Sequence, residues 1–540
     1  MLQTEAYLGR IDDPDALLNG EETYTLVDAS RPQSFPAIVI DFGREVVGYP
    51  EIDVEGGNGC SMAVWYGESL DMMRTDALVM DGARRVYAPF HRRAFRYIKL
   101  VFNNGTAPVR IYAVRLQAVR YAYARTGRFT CSNDRLNAIF DVSRYTVQLA
   151  TQDHFEDSVW REGMQWLADA RVMSLVNHWV FGDPRITRKA IRQFFYNQLP
   201  DGKVPASGPQ PFSSLTIDFD MHLIMMCWEY YYFTLDADFL KEIRASMHLL
   251  MEKFASIQKD GLISVDVDPG FGVFLDWAVV DKRDRITAIN CFYHKTLLDY
   301  ASILDVLGDE QAAFYRDQAR RVRGKINACM YNSERGLYMD CLTDEGLSPA
   351  SSQQTNLIAV YSGVVEPEAE KALIERVYEA RDIERIKGAF LLSFIADMLF
   401  EKGFQDKAVE LVEDYWGEML ERGATTWWET FDRETPRSCI PYLYSQNSAT
   451  SYIEYIPCSH CHGWGGGPAF FMMKNILGIH PLAPGLREVE FRPYTSGLDH
   501  AAGTICTPVG DISVEWKKQP DGIIWRRIEA PDTVRVIERA

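Results

Sequence analysis

The feature that most constrains the fold is a change in the spacing of apolar residues near position 132. From residue 20 to about 125, β-branched and aromatic runs such as 37–41 and 95–100 alternate with Gly/Asn turns. This pattern is typical of short strands packed as a sandwich. From 133 to about 478, apolar residues recur with the period of amphipathic helices, and after Pro481 short strand-like runs return. The sequence therefore predicts a β region, a long helical region and a small second β region.

The helical region sets the architecture. Its clearest helical segments are 133–150, 160–181, 218–235, 238–257, 286–307, 309–331, 366–380, 389–402, 404–419 and 465–477. Roughly a dozen helices without a fixed repeat of about 30–45 residues favour a closed barrel of hairpins over an open solenoid. We expect a mainly α fold with an N-terminal β-sandwich at 1–127, a catalytic barrel at 128–482 and a C-terminal β domain at 483–540.

Composition narrows the class of partner. The chain has 540 residues and a formal net charge of −18, which disfavours nucleic acid and anionic membranes. No window approaches the roughly 18 apolar residues needed to cross a bilayer, and the first residues lack the basic and apolar segments of a secretory signal. We therefore expect a cytoplasmic protein that binds a neutral small molecule or a glycan, and the chain is compatible with homo-oligomer formation.

One cysteine cluster raises the question of a metal. Cys458 and Cys461 lie beside His460 and His462, a combination that could bind zinc. A structural zinc site needs a second Cys/His pair at suitable spacing, and the sequence offers none. We expect reduced thiols, with no metal and no cofactor.

The densest cluster of functional side chains lies at 157–171. If a helix begins near Val159, Glu162, Trp166 and Asp169 fall on one face, so two acids flank an indole where an apolar stripe would be normal. Inward-facing carboxylates are costly unless they are paired or used. One interpretation is catalysis, in which a glutamate beside aromatic walls serves as an acid. The alternative is ordinary ion pairing with Arg161 or Arg171.

A second acid, Glu429, follows two tryptophans in a segment that is poor in helix-forming residues. Such a segment is expected of a loop at the mouth of a barrel, and tryptophan beside an acid suits a sugar subsite. The alternative is a surface loop whose glutamate pairs with Arg433 or Arg437.

A third cluster, 459–469, places two histidines before a glycine-rich run at the start of the last helix. The glycines would let the backbone approach a ligand closely; the alternative for either histidine is a buried, hydrogen-bonded core residue. Asp276 with Trp277, and Asp218 with Asp220, are more often core or cap than site when taken alone. The sequence has no nucleophile elbow, no His-Glu-x-x-His pair and no phosphate-loop lysine, which leaves paired carboxylates.

In this order the three clusters resemble the α-L-rhamnosidases of glycoside hydrolase family 78. The resemblance covers most of the chain, including 41–49 and 95–97 in the first β region, 477–485 after the last helix and 503–510 beyond it. The pattern departs from the family at Ser158 and Val159, where Cys-Pro is common, at Gly163, and in carrying His460. We expect these positions to lie at the pocket wall. They would therefore affect which sugar is bound more than the class of reaction.

The resemblance implies an (α/α)6 barrel and an inverting hydrolase, with Glu162 as general acid and Glu429 as general base. The implied substrate is an α-L-rhamnoside or a similar deoxy-sugar glycoside, and the implied source is bacterial. The remaining implied site residues bind substrate: Asp157, Arg161, Trp166, Asp169, Asp276, Trp277, Trp428 and His462. The alternatives are a six-hairpin glycosidase for another sugar linkage, a catalytically silent glycan-binding protein on the same scaffold, and a helical interaction solenoid.

Overall fold

The structure is a computed structural model of the whole chain, and it describes residues 2–18, 23–70, 73–210, 214–431 and 459–538. The helices in these ranges are α1 (Asp134–Leu149), α2 (Leu167–Val176), α3 (Pro184–Tyr196), α4 (Ile217–Thr234), α5 (Ala237–Ser256), α6 (Thr287–Val306), α7 (Ala312–Cys329), α8 (Gln353–Tyr361), α9 (Pro367–Glu379), α10 (Ala389–Glu401), α11 (Gln405–Glu421) and α12 (Pro468–Phe471). A mainly helical region is therefore flanked by two β-rich regions.

The first β region is built around one long strand. Its strands are β1 (Leu2–Glu5), β2 (Arg10–Asp12), β3 (Thr25–Asp28), β4 (Ala37–Gly56), β5 (Ser61–Gly67), β6 (Met73–Val79), β7 (Gly82–Tyr87), β8 (Arg93–Asn103) and β9 (Val109–Ala118). The first half of β4 pairs with β1 and β8, and its second half pairs with β9 and β7, with register shifts in between. Alternate residues of these strands, among them Ile38, Val54 and Leu100, form a separate apolar core.

The helical region differs from its sequence pattern at several points. Helix α2 begins at Leu167, so the helix predicted from Val159 or Trp160 is wrong for its first two turns. Helix α3 was not among the predicted segments, although Asp183 caps it and Pro184 opens it, which is a recognisable start signal. Helix α8 was also not among the predicted segments, because it is buried on nearly all sides and therefore has no polar stripe.

Short hairpins join some of the helices at one side of this region. Their strands are β11 (Gln258–Lys259), β12 (Leu262–Ile263), β13 (Arg285–Ile286), β14 (Tyr331–Asn332), β15 (Leu337–Tyr338), β16 (Cys341–Thr343) and β17 (Gly346–Leu347). The buried faces of α2, α4, α6, α8 and α10 share one large hydrophobic core. Within the described ranges, none of the helices combines the length and the apolar character needed to cross a bilayer.

The second β region includes one strand that precedes the helices in the chain. Its strands are β10 (Arg128–Cys131), β18 (Ile479–Pro481), β19 (Glu488–Phe491), β20 (His500–Thr507), β21 (Gly510–Lys518), β22 (Ile524–Glu529) and β23 (Arg535–Glu538). The sheet order is β10-β20-β21-β22, so the strand that precedes α1 pairs with a strand that follows α12. A domain division by sequence alone, with a C-terminal unit at 483–540, separates two paired strands.

Candidate active site

A cavity of about 510 Å³ opens among the helices and collects side chains from all three sequence clusters. Ligand sites in proteins usually lie in this size range. The residues that line it are Asp157, Arg161, Glu162, Trp166, Asp169, Ser214, Thr216, Phe219, Phe274, Trp277, Glu429, His462 and Trp464. Eight of the ten residues singled out from the sequence are in this set; Asp276 and Trp428 are not.

Residues 157–166 reach the cavity as a closed loop rather than a helix. The backbone N–H of Asp157 donates to Met164 O at 2.8 Å, and Met164 N donates to Asp157 Oδ1 at 2.9 Å. Ser158 Oγ donates to Asp157 Oδ2 at 2.8 Å and accepts from Glu162 N at 3.1 Å. Gly163 has φ +66°, a conformation that favours glycine. Ser158 and Gly163, two of the positions that depart from the family pattern, therefore help to close this loop.

Backbone hydrogen bonds bring the distant clusters together. His462 N donates to Trp427 O at 2.8 Å, Glu429 N donates to Ser459 O at 2.9 Å, and Gly463 N donates to Asp157 O at 2.6 Å. The three segments therefore run side by side at the cavity. The glycines after His462 serve this packing, since a Cβ at Gly463 would collide with Met173. They allow the backbone to pack closely on other side chains of the protein, whereas the sequence predicted close approach to a ligand.

Arg161 lies between the two candidate catalytic acids. Its Nη2 is 2.7 Å from Glu162 Oε1 and 3.1 Å from Glu429 Oε1, and its Nη1 is 2.7 Å from Glu429 Oε2. The second oxygen of Glu162 accepts from Trp166 Nε1 at 2.7 Å. One guanidinium thus separates the two carboxyl groups across the cavity. The ion-pair interpretation of Arg161 and the convergence of the two acids are both present in the structure.

Glu429 is held as an anion. Burial would raise its pKa, but the charge of Arg161, followed by that of His462, keeps the pKa below its ordinary value. Ser459 N and Trp277 Nε1 also donate to its carboxylate, each at 3.2 Å. Donors from several directions favour the charged form. An ionised carboxylate in this position can accept a proton from water.

His462 and Asp169 form a buried ion pair. His462 Nε2 lies 2.9 Å from Asp169 Oδ1, and both side chains are 3 % exposed. Burial alone would lower the pKa of His462, but the hydrogen bond and the charge of Asp169, with Glu429 nearby, outweigh burial and raise it to about 9. Burial raises the pKa of Asp169, and raises that of Asp157 well above its ordinary value. These groups supply hydrogen-bond donors and acceptors at the cavity floor.

Aromatic rings form the opposite wall. Phe274 packs edge-on against Trp277 and Phe219, and its ring stacks on Trp464. Buried Asp218 positions this wall, because its carboxylate accepts the backbone N–H groups of Phe274 and Leu275 at 3.0 and 2.8 Å. The sequence had flagged the Asp218 and Asp276 clusters without identifying Phe219, Phe274 or Trp464 as lining residues. Their aromatic side chains look the same in sequence as core residues, so only an acid inside an apolar run could have marked them.

Two predicted substrate-binding residues lie behind the wall. Asp276 is buried and accepts the backbone N–H groups of Trp277 and Leu391, so it orients the tryptophan beside it. Trp428 is buried against Phe431 and His460. Arg171, offered as an alternative ion partner for the acids, instead pairs with Glu229 away from the cavity.

The structure describes part of the Cys/His cluster that could bind a metal. Among the residues in the described ranges, no group of three or more His, Cys, Asp or Glu side chains is arranged to hold a metal ion. Cys461 and the two histidines of the cluster are described, whereas Cys458 lies outside the described residues, as do Arg433 and Arg437.

Comparison with known proteins identifies all three regions. Residues 34–117 match the concanavalin-like domain of bacterial α-L-rhamnosidases, residues 124–476 match their six-hairpin glycosidase domain, and residues 478–536 match their C-terminal domain. An α-L-rhamnosidase of Alteromonas sp. (strain LOR) is 24% identical over 92% of this chain and 55% of its own length. One of Streptomyces avermitilis is 21% identical over 92% of this chain and 48% of its own. The chain spans about half the length of these curated relatives.

Solved structures agree with this assignment. The family 78 rhamnosidase of Bacillus sp. GL1 superimposes with a TM-score of 0.86 at 27% identity, over 94% of this chain and 53% of that one. A rhamnosidase from Klebsiella oxytoca, solved with rhamnose bound, superimposes with a TM-score of 0.73 at 20% identity, over 88% of this chain and 96% of that one. The resemblance stated from the sequence is confirmed. Because the six-hairpin match alone covers more than half of the residues, the chain belongs to the bacterial α-L-rhamnosidase family of six-hairpin glycosidases.

Proposed function

We propose that the protein is an inverting glycoside hydrolase that releases α-L-rhamnose from glycosides or oligosaccharides. The observation that carries the proposal is the placement of Glu162 and Glu429 on one cavity, on either side of Arg161. Family membership and the activity for which the relatives are named support the reaction class. The same placement argues against a silent glycan-binding protein, which would have no need of two acids on one cavity.

In the proposed mechanism one acid donates a proton and the other accepts one. Glu162 donates a proton to the glycosidic oxygen as the bond to the anomeric carbon breaks. Glu429, held ionised by Arg161, takes a proton from a water that attacks the opposite face of that carbon. Inversion needs room for this water, with carboxyl groups about 6.5–9.5 Å apart, whereas retention needs about 5–5.5 Å. Arg161 lies between the acids and would move aside from Glu162 as the sugar and the water enter, while its pair with Glu429 keeps that carboxylate ionised.

The two walls of the cavity account for the proposed sugar. Asp157, Asp169 and charged His462 can bind hydroxyl groups on one side. Phe219, Phe274 and Trp277 form the apolar side, where a methyl group loses no hydrogen bond on burial but a hydroxymethyl group does. A 6-deoxy sugar such as rhamnose has both kinds of surface. We further propose that the helices close into an (α/α)6 toroid around this cavity.

The test is hydrolysis of a panel of p-nitrophenyl glycosides: α-L-rhamnoside, α-L-fucoside and β-D-glucuronide. We expect the rhamnoside to be cleaved with a kcat/KM about 10²-fold or more above the others, the order of discrimination that pocket contacts can supply. Proton NMR of the first product should show the anomer opposite to that of the substrate. Faster cleavage of another glycoside would favour the alternative six-hairpin activity, and a product of unchanged configuration would exclude the inverting mechanism.

A further inference from the structure

A second cavity lies directly beside the first, on the side of the candidate general acid. Its volume is about 410 Å³, and it shares Arg161 and Glu162 with the catalytic cavity. Glu429 lines only the first cavity. The first β region forms the far wall of the second one, and the loop 159–163 forms the near wall. Glu162 therefore stands at the opening between two adjoining spaces.

The wall from the β region is rich in arginine. Arg74, Arg92 and Arg93 line it, in a chain whose net charge is −18. Arg93 is neutralised by Asp76, to which it donates two hydrogen bonds at 3.0 and 2.8 Å. A site that served only as packing between regions would be expected to pair each cation in this way.

The other two arginines have donors to spare. Arg92 pairs with buried Glu156 through Nη2, and within the described part of the chain its Nη1 is buried with no hydrogen-bond partner. Arg74 lies over the ring of Trp160, 5.0 Å from the centroid, and donates to the carbonyl of Arg161 at 2.6 Å. The structure gives Arg74 no carboxylate partner among the described residues. Arg74 therefore brings to this cavity an exposed guanidinium that lacks a carboxylate partner among the described residues, whereas the second N–H group of Arg92 is buried in the cavity wall.

The direction of the reaction links this space to the leaving group. In the proposed mechanism the water attacks from the Glu429 side, so the departing sugar lies on the Glu162 side, where its oxygen receives the proton. The second cavity is the space that adjoins Glu162 away from Glu429. Trp160, half-buried at its edge, offers the kind of aromatic surface on which sugar rings stack.

We propose that this second cavity is a leaving-group subsite for an anionic sugar such as a uronic acid, bound by the exposed guanidinium of Arg74. The inference rests on the proposed hydrolase function and names its substrate class: a rhamnosyl unit attached to an acidic sugar. Guanidinium groups bind carboxylates with paired, charge-assisted hydrogen bonds, which makes them suited to this role.

Kinetics on two matched disaccharides test the proposal. Rhamnosyl-glucuronate and rhamnosyl-glucose differ only in the carboxylate, and we expect the wild-type protein to have the higher kcat/KM for the acidic one. Arg74→Gln should reduce the acidic-to-neutral ratio of kcat/KM about tenfold, the effect of losing one charged hydrogen bond. Arg74→Lys, which keeps the charge, should restore part of the ratio. Arg110→Gln, on β9 of the same β region and outside the cavity, should leave the ratio unchanged.

A binding measurement separates this inference from the proposed function. Calorimetry with glucuronate, glucose 6-sulfate and glucose needs no turnover, and we expect the two anions to bind, glucose not to bind, and Arg74→Gln to weaken both anions. Cleavage of rhamnosides with no preference for the acidic disaccharide, and no anion binding, would overturn the subsite and leave the hydrolase standing. Anion binding by a protein that cleaves none of the rhamnosides would instead overturn the hydrolase function, and with it the leaving-group role.

Discussion

Two clusters of buried charge share helix α2 and differ in how their charges balance. The cavity cluster consists of Asp157, Arg161, Glu162, Asp169, Glu429 and His462. The core cluster consists of Arg171, His222, Glu229, Lys295, Asp299 and Tyr361. Asp169 and Arg171 are two residues apart on α2, and a helix turns about 200° over that step, so their side chains leave on different sides.

The core cluster is neutral as a whole. Arg171 donates to both oxygens of Glu229, at 3.1 and 2.6 Å, and to Tyr361 Oη at 2.7 Å. Lys295 pairs with Asp299 at 2.9 Å. Burial, with the charge of Arg171, lowers the pKa of His222 well below its ordinary value, so that the ring is neutral and accepts from the guanidinium. Two cations therefore face two carboxylates, away from the cavity.

The cavity cluster carries an excess of acid, with four carboxyl groups against two cations. An excess of buried negative charge is unfavourable unless protons neutralise it or a ligand binds to it. Groups with perturbed pKa values are therefore common at functional sites. A balanced network thus stabilises the helices, whereas an unbalanced network at a cavity is available for chemistry. Substitutions in the two clusters should therefore damage different properties.

The largest expected effect is on turnover. Glu162→Gln and Glu429→Gln should each reduce kcat by about 10²–10⁴-fold, because each removes one proton-transfer group, while the midpoint of thermal unfolding changes little. Hydrolysis of rhamnosyl-glucose, whose sugar leaving group needs the proton that Glu162 donates, is the measurement, together with thermal unfolding of each variant. The same change at Glu229 in the core cluster is the matched control and should spare kcat in the folded fraction. Near-wild-type rates from either cavity variant would remove that residue from the mechanism.

The next effect is on stability. Arg171→Met should lower the free energy of unfolding by about 3–5 kcal/mol, since it leaves the partly buried Glu229 carboxylate without its cation. Chemical denaturation measures the loss. Arg171→Met combined with Glu229→Leu removes both charges and should recover much of it. If the single variant were as stable as the wild type, the core cluster would not be a stabilising network.

The sequence predicted the order of β, α and β regions well, because spacing of apolar residues directly reflects strand and helix geometry. It also brought forward most of the cavity cluster, since acids beside Trp166 and Glu429 beside two tryptophans break apolar patterns. It misplaced the start of α2, because a loop closed by Asp157 and Ser158 has the same spacing as a helical turn. The roles of Arg161 and Asp276 depend on contacts between distant segments, which no local pattern records.

A smaller effect concerns pH and the Asp169–His462 pair. Because the pKa of His462 is raised to about 9 from 6.5, the stability that its proton contributes is present in full below pH 6.5 and is lost as pH rises through 9. Asp169→Asn removes the main partner and should cost up to about 3 kcal/mol near neutral pH. Urea denaturation of both proteins at pH 7 and at pH 10 should show a difference that shrinks at the higher value. A difference that grew with pH would mean that the histidine is neutral in the folded protein.

The smallest expected effect comes from outside both clusters. Glu68, which follows β5, accepts the backbone N–H groups of His460 and Cys461 at 2.8 and 3.0 Å and so positions the segment that binds Glu429. Burial raises its pKa to about 7. Glu68→Gln keeps the shape but can accept only one of the two donors well, so kcat should fall about fivefold at pH 8. At pH 5.5 the wild-type carboxyl is itself protonated and resembles the amide, so the two proteins should differ less there. Glu55→Gln, at a partly exposed position of β4 outside both cavities, is the control. An equal loss of kcat at both pH values would mean that the charge of Glu68 does not position the segment that binds Glu429. The first β region would then contribute no charge that the cavity cluster depends on.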